Sequence, residues 1–176
     1  MKFMNPSQAV VRSSLVVLSC FAAQGAQPAN AQPTLRSMLP PGAAYSALRR
    51  AAMGARWRLE ARDCQRVFSE FHDASGRTLQ ANLDAQGRTA ASYLSLILFA
   101  DGGRLRRCQD ANTFAVTEPG SRVVHLCGQQ FADVAANNPR LAEAFLIHEE
   151  LHSLGLRENP PTPTEITDRV LASCHP

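Results

Sequence analysis

The sequence predicts an α+β domain in which a small, mostly antiparallel sheet packs on one long helix. Three observations support this fold class. An alanine- and arginine-rich run near the start indicates a helix, and two β-compatible segments flank a turn signal near the middle. Near the end, apolar residues recur at the three-and-four spacing of a helix that packs on one side.

The first half of the chain is predicted to be mainly helical. Residues 32–41 contain three prolines and few large apolar side chains, which predicts a loose leader. Residues 45–62 and 64–71 are predicted to form two helices. Residues 82–87 indicate a turn.

The strands are expected in the middle of the chain. Residues 93–100 have the apolar content of a buried strand and end at an Asp-Gly-Gly turn signal. Residues 113–117 and 122–127 flank the turn signal at residues 118–121, so they are predicted to be antiparallel strands.

A long helix is predicted after Asn138, which is a good N-cap and precedes a proline suited to the first helical position. Gly155 supplies the expected stop. Apolar residues between them follow helical spacing, namely Leu141, Ala144, Phe145, Ile147, Leu151 and Leu154.

This helix contains His148-Glu149-Glu150-Leu151-His152, which fits the pattern His-Glu-x-x-His. Side chains four residues apart lie on the same face of a helix, so His148 and His152 can bind one metal ion. Glu149 leans to the same side and is the candidate general base of a zinc hydrolase. The competing interpretation is that these are two ordinary histidines one turn apart.

The residues that follow bring a carboxylate, Glu158, back six positions after His152. With Gly155 between them, the chain resembles the zincin metallopeptidases in a metzincin-like form, His-Glu-x-x-His-x-x-Gly-x-x-Glu. The resemblance covers residues 122–169. Residues 148–161 are also similar to secreted bacterial proteins with the same run. No methionine follows Met53, so the methionine turn of metzincins has no counterpart.

The resemblance implies a zincin-like fold and a zinc-dependent peptidase that acts on peptides or proteins. Zn2+ would be held by His148, His152 and Glu158, with Glu149 as the base. In zincins a sheet edge borders the cleft, and residues 122–127 are the segment that the resemblance nominates.

Two assignments stay open. Glu165 is the alternative third ligand, although residues 162–165 also form a capping box at the start of a last helix. For the group that stabilises the oxyanion, the available candidates are His125, which strand alternation could turn toward the cleft, together with Tyr45 and Tyr93.

The amino terminus has the organisation of a signal peptide. Lys2 and Arg12 precede an apolar run at residues 15–23, and Ala31 ends a small-x-small cleavage site. The run is too short to cross a bilayer, so we expect an exported protein, periplasmic or secreted, with no membrane partner after cleavage. The expected division is residues 1–31 as signal peptide, 32–62 as leader and first helix, and 63–176 as catalytic domain.

Charge argues against a nucleic-acid partner. Removing residues 1–31 takes away Lys2 and Arg12 and no acidic residue, so the formal net charge falls from +3 to +1. The remaining arginines are spread along the chain without a dense basic patch or interleaved aromatic residues.

Four cysteines remain after cleavage, and an oxidising compartment favours two disulfides. Four cysteines allow three pairings, among which we favour Cys108 with Cys127 and Cys64 with Cys174. The functional alternatives to a peptidase are a non-catalytic exported zinc-binding or protein-interaction domain that retains the fold, and a disulfide-stapled module whose motif residues are accidental.

Overall fold

A computed structural model describes residues 34–175, so the predicted signal peptide lies outside the described residues. Within this range the strands are β1 Arg36–Ser37, β2 Leu98–Asp101, β3 Ala115–Thr117 and β4 Val123–Leu126. The α-helices are α1 Ala43–Leu59, α2 Arg62–Glu70, α3 Leu79–Asp84, α4 Ala90–Tyr93, α5 Gly128–Asn137, α6 Pro139–Ser153 and α7 Pro163–Ser173. The α+β class is confirmed.

The four strands form one mixed sheet in the order β1-β2-β4-β3. The antiparallel hairpin of β3 and β4 is confirmed, with Val116 opposite His125. The expectation of a mostly antiparallel sheet is wrong, because β2 pairs in parallel with both β1 and β4. The turn between β3 and β4 determines only their own pairing, and β4 rather than β3 then lies beside β2.

The leader and the first predicted strand also differ from expectation. Residues 36–37 form the edge strand β1, and Leu39 just after it is buried, so this part of the leader is ordered. Residues 93–97 are not strand: Thr89 caps α4 by accepting a hydrogen bond from the Ser92 backbone N–H, and a 3₁₀ turn follows. An apolar run of this length suits a buried helix as well as a strand.

Helix α6 begins and ends where the sequence predicts. The Asn138 side chain accepts a hydrogen bond from the Leu141 backbone N–H, Pro139 occupies the first turn, and Gly155 has a φ of 110° just after the end. The helix packs against α1, α5, α7 and β3. Its second half is buried on every side from Leu146 to Ser153, so it is the central helix rather than a half-exposed one.

Helix α1 belongs to the same core. It packs on α5 and α6 through alanines and leucines, which include Ala47, Leu48, Ala51 and Ala55. Within the described residues 34–175 the chain forms one compact unit. In the described range, none of the helices combines the length and apolar character needed to cross a bilayer.

Both predicted disulfides are confirmed. Cys64–Cys174 joins α2 to the residue after α7 across 110 positions, and Cys108–Cys127 closes a loop of 19 positions. Such bonds persist in oxidising compartments, which agrees with an exported protein.

Replacing Cys64 and Cys174 together by alanine is expected to lower the free energy of unfolding by about 2–5 kcal/mol, because the unfolded chain then regains the freedom of a long loop. Urea unfolding under non-reducing conditions measures this change. The matched control replaces Cys108 and Cys127. Its shorter loop makes the expected loss about 1.5 kcal/mol smaller, and a larger loss in the control would contradict loop closure as the cause.

Candidate metal centre

Helix α6 brings His148 and His152 together. They lie one turn apart on the face that lines a cleft, and both side chains are almost fully buried. Their Nε2 atoms are 2.9 Å apart, so the two imidazoles converge on one point.

Glu158 reaches the same point because the chain reverses direction after α6. Gly155 makes the turn: its positive φ is rarely adopted by other residues, and a Cβ there would come within 3.1 Å of the Asp73 Cβ. The Glu158 Oε1 atom then lies 3.2 Å from the His152 Nε2 atom and 3.8 Å from the His148 Nε2 atom.

The three residues are suited to a metal ion. Their ligand atoms all lie within 4.8 Å of one another, and His148, His152 and Glu158 could together hold such an ion. A tetrahedral ion with bonds of about 2.0–2.1 Å spaces its ligand atoms about 3.3 Å apart, close to the separations observed. Contact with His148, more than with His152, lowers the pKa of Glu158, so this carboxylate stays charged near neutral pH.

Glu165 lies outside this group. Its Oε2 atom accepts hydrogen bonds from the Thr162 backbone N–H and hydroxyl, each at 2.8 Å, and these bonds lower the pKa of Glu165. The carboxylate is therefore engaged in the capping box that begins α7. Of the two candidates for third ligand, Glu158 is the one beside the imidazoles.

Two consecutive glutamates in α6 have different surroundings. Glu149 lines the cleft, and its Oε2 atom is buried without a hydrogen-bond partner among the described residues. Glu150 is fully buried, and burial raises the pKa of Glu150 well above its ordinary value. The cleft thus contains a partly unsatisfied carboxylate next to the two histidines.

The cleft has a volume of about 880 Å³, and β3 forms one of its walls. At one end the rings of Phe114 and Phe145 stack with their centroids 4.5 Å apart. The expectation that residues 122–127 would border the cleft is wrong, because β4 lies inside the sheet and β3 is the edge strand. Strand β4 pairs with β2 on one side and with β3 on the other, so it has no free edge.

The three candidates for oxyanion stabilisation do not line the cleft formed by the described residues. His125 lies on the interior strand β4 between Ala100 and Val116. The Tyr93 hydroxyl is buried against the Ser153 carbonyl and hydroxyl oxygens, and Tyr45 lies on α1 in a separate groove.

No family model, curated protein or solved structure matches the chain.

The Nδ1 atom of each imidazole, on the side of the ring away from the site, lies within hydrogen-bonding distance of a protein oxygen. The His148 Nδ1 atom is 2.9 Å from the Thr167 hydroxyl of α7, and the His152 Nδ1 atom is 2.8 Å from the Leu156 carbonyl oxygen. A carbonyl can only accept, so His152 Nδ1 donates and its Nε2 lone pair faces the site. In the form that binds metal, His148 Nδ1 donates to the Thr167 hydroxyl oxygen, which leaves the His148 Nε2 lone pair directed at the site. No sequence pattern pointed to Thr167 beyond its place in the last helix.

Contacts with Asp73 and Asn82 hold the turn that carries the Leu156 carbonyl. Leu156 forms a β-bridge with Asp73, and the Asn82 side-chain amide donates to both the Leu154 carbonyl and the Asp73 carboxylate. Hydrogen bonds, chiefly from Asn82 and then from Ser75, hold the pKa of Asp73 well below its usual range. Asp73, which lies between α2 and α3, and Asn82 of α3 therefore fix the turn on which His152 depends.

Replacing Thr167 by valine is expected to weaken metal binding by about 10–100-fold, because His148 loses the partner that orients its ring. Replacement by serine keeps the hydroxyl and is the matched control. Competition with a chromophoric chelator gives both dissociation constants. If valine and serine bind metal equally well, the hydroxyl does not orient His148.

Proposed function

We propose that the protein is an exported zinc-dependent peptidase with Glu149 as general base. One observation carries this proposal: the group His148, His152 and Glu158 lines a cleft beside the Glu149 carboxylate, which has an unsatisfied buried oxygen. Two histidines and one glutamate are a known ligand set of catalytic zinc sites, which keep the fourth position for water.

When bound, zinc would lower the pKa of a coordinated water from about 15.7 to about 7 and polarise the scissile carbonyl. Glu149 would accept the proton of the attacking water and then deliver it to the leaving amine. Thr167 and the Leu156 carbonyl would keep both imidazoles aimed at the site throughout.

The edge strand β3 supports a peptide as the substrate. Its main-chain groups on the side away from β4 make no strand pairing within residues 34–175. An extended segment could pair with such an edge by main-chain hydrogen bonds, and the stacked Phe114 and Phe145 offer an apolar wall for one of its side chains.

Turnover of a mixed quenched-fluorescence peptide library by the purified protein tests the proposal. We expect cleavage with zinc bound, loss after treatment with a chelator, and recovery when zinc is restored. Stoichiometric zinc without cleavage of any peptide would instead favour a non-catalytic zinc-binding domain. A folded chain that binds no metal would favour the accidental motif.

A further inference from the structure

The solvent-facing side of α1 carries large apolar side chains. Tyr45, Arg49, Met53 and Trp57 follow one another at intervals of four residues, so they form a single row along the helix. Met53 is 69% exposed and Trp57 is 58% exposed, although most exposed positions in a folded domain are polar. Trp57 is also the single tryptophan of the sequence.

This row forms one wall of a groove of about 660 Å³. Leu35 and Leu94 contribute apolar surface from other parts of the chain. None of the residues that line this groove lines the metal cleft, so the two surfaces are separate.

The groove is also cationic. Arg49 lies over the Tyr45 ring, with its guanidinium carbon 5.9 Å from the ring centroid. Arg56 forms no ion pair with any acidic residue in the range 34–175. One acidic residue, Glu60, lines the far end. Tryptophan, tyrosine and arginine are the residue types that dominate binding energy at protein interfaces.

We propose that this groove binds an acidic segment of a partner protein, with an apolar side chain of that segment seated against Met53 and Trp57. Arg49 and Arg56 are seven residues apart, which places them about 10 Å apart along the helix axis. Two carboxylates three positions apart lie on the same side of a polyproline II segment, which has three residues per turn, and are separated by about 9 Å along it. The concave shape suits a peptide segment better than a planar membrane surface. This proposal is independent of the peptidase function.

The fluorescence emission of Trp57 can report binding in this groove. The probe is the acetylated peptide Gly-Glu-Leu-Phe-Glu-Gly, which contains no tryptophan, and the control peptide has lysine in place of both glutamates. Glu149→Gln is present in every protein so that the probe cannot be consumed. We expect a saturable blue shift of Trp57 emission below about 1 mM acidic peptide, and none with the lysine peptide.

The double variant Arg49→Ala, Arg56→Ala is expected to raise the dissociation constant of the acidic peptide by about tenfold. A higher salt concentration should weaken the binding of this peptide as well. The matched control, Arg104→Ala with Arg106→Ala, changes two exposed arginines that line neither surface and should leave binding unchanged. Three results would overturn the proposal. They are no shift of Trp57 emission with the acidic peptide, equal binding of the lysine peptide, or a shift of Trp57 emission when phosphatidylglycerol vesicles are added without any peptide. Alanine is a good helix former, so all variants are expected to fold, and circular dichroism checks this.

Discussion

Glu149→Gln is expected to lower kcat/KM for peptide cleavage by about 10²–10⁴-fold, the usual contribution of a positioned general base. The amide has the shape of the carboxylate but cannot accept the proton of the attacking water. Zinc binding should be unchanged, because Glu149 is not one of the three residues whose ligand atoms cluster. Kinetics on a fluorogenic peptide and the zinc content of the purified variant measure both quantities.

The neighbouring glutamate provides a matched control. Glu150→Gln makes the same chemical change one position along the helix, at a fully buried residue that does not line the cleft. Because burial favours the protonated form of Glu150, the amide resembles the native group, and kcat/KM should stay near the wild-type value. Full activity in Glu149→Gln would remove Glu149 from the mechanism.

Glu158→Ala is expected to weaken zinc binding by more than about 100-fold. Loss of a group that only orients a ligand costs about 10–100-fold, and loss of a ligand itself should cost more. The two histidines would remain, but two ligands do not define a closed tetrahedral site. Isothermal titration or chelator competition on the metal-free protein measures the change without relying on activity.

Glu165→Ala is the control for this change, since Glu165 was the other candidate ligand. It removes a carboxylate from the capping box of α7 and should cause only a small loss of stability, with zinc affinity near that of the wild type. Equal losses of affinity in the two variants, or a loss confined to Glu165→Ala, would contradict the assignment of Glu158.

Local patterns predicted the centre of the site well. Asn138 and Gly155 set the ends of α6, and four-residue spacing put His148 and His152 on one face, because capping and helical periodicity depend on nearby residues. The capping box at Thr162 was equally local. This capping box predicted a structural role for Glu165.

Patterns that depend on distant partners were predicted less well. The hairpin of β3 and β4 was visible, but its placement beside β2 was not, so the wrong strand was assigned to the edge of the cleft. Residues 93–97 were apolar enough for strand or helix, and the Thr89 cap together with burial decided for helix. Thr167 had no recognisable pattern, because its role depends on α7 docking against α6.

The sequence by itself determined the long helix, the placement of His148 and His152 on one of its faces, and the adjacent base candidate Glu149. Only the tertiary structure decided that Glu158 rather than Glu165 completes the group, that β3 borders the cleft, and that Thr167 and Leu156 orient the imidazoles. The physical reason is range. Helix periodicity and caps are set by residues within a few positions, whereas these contacts join segments whose approach depends on how the whole core packs.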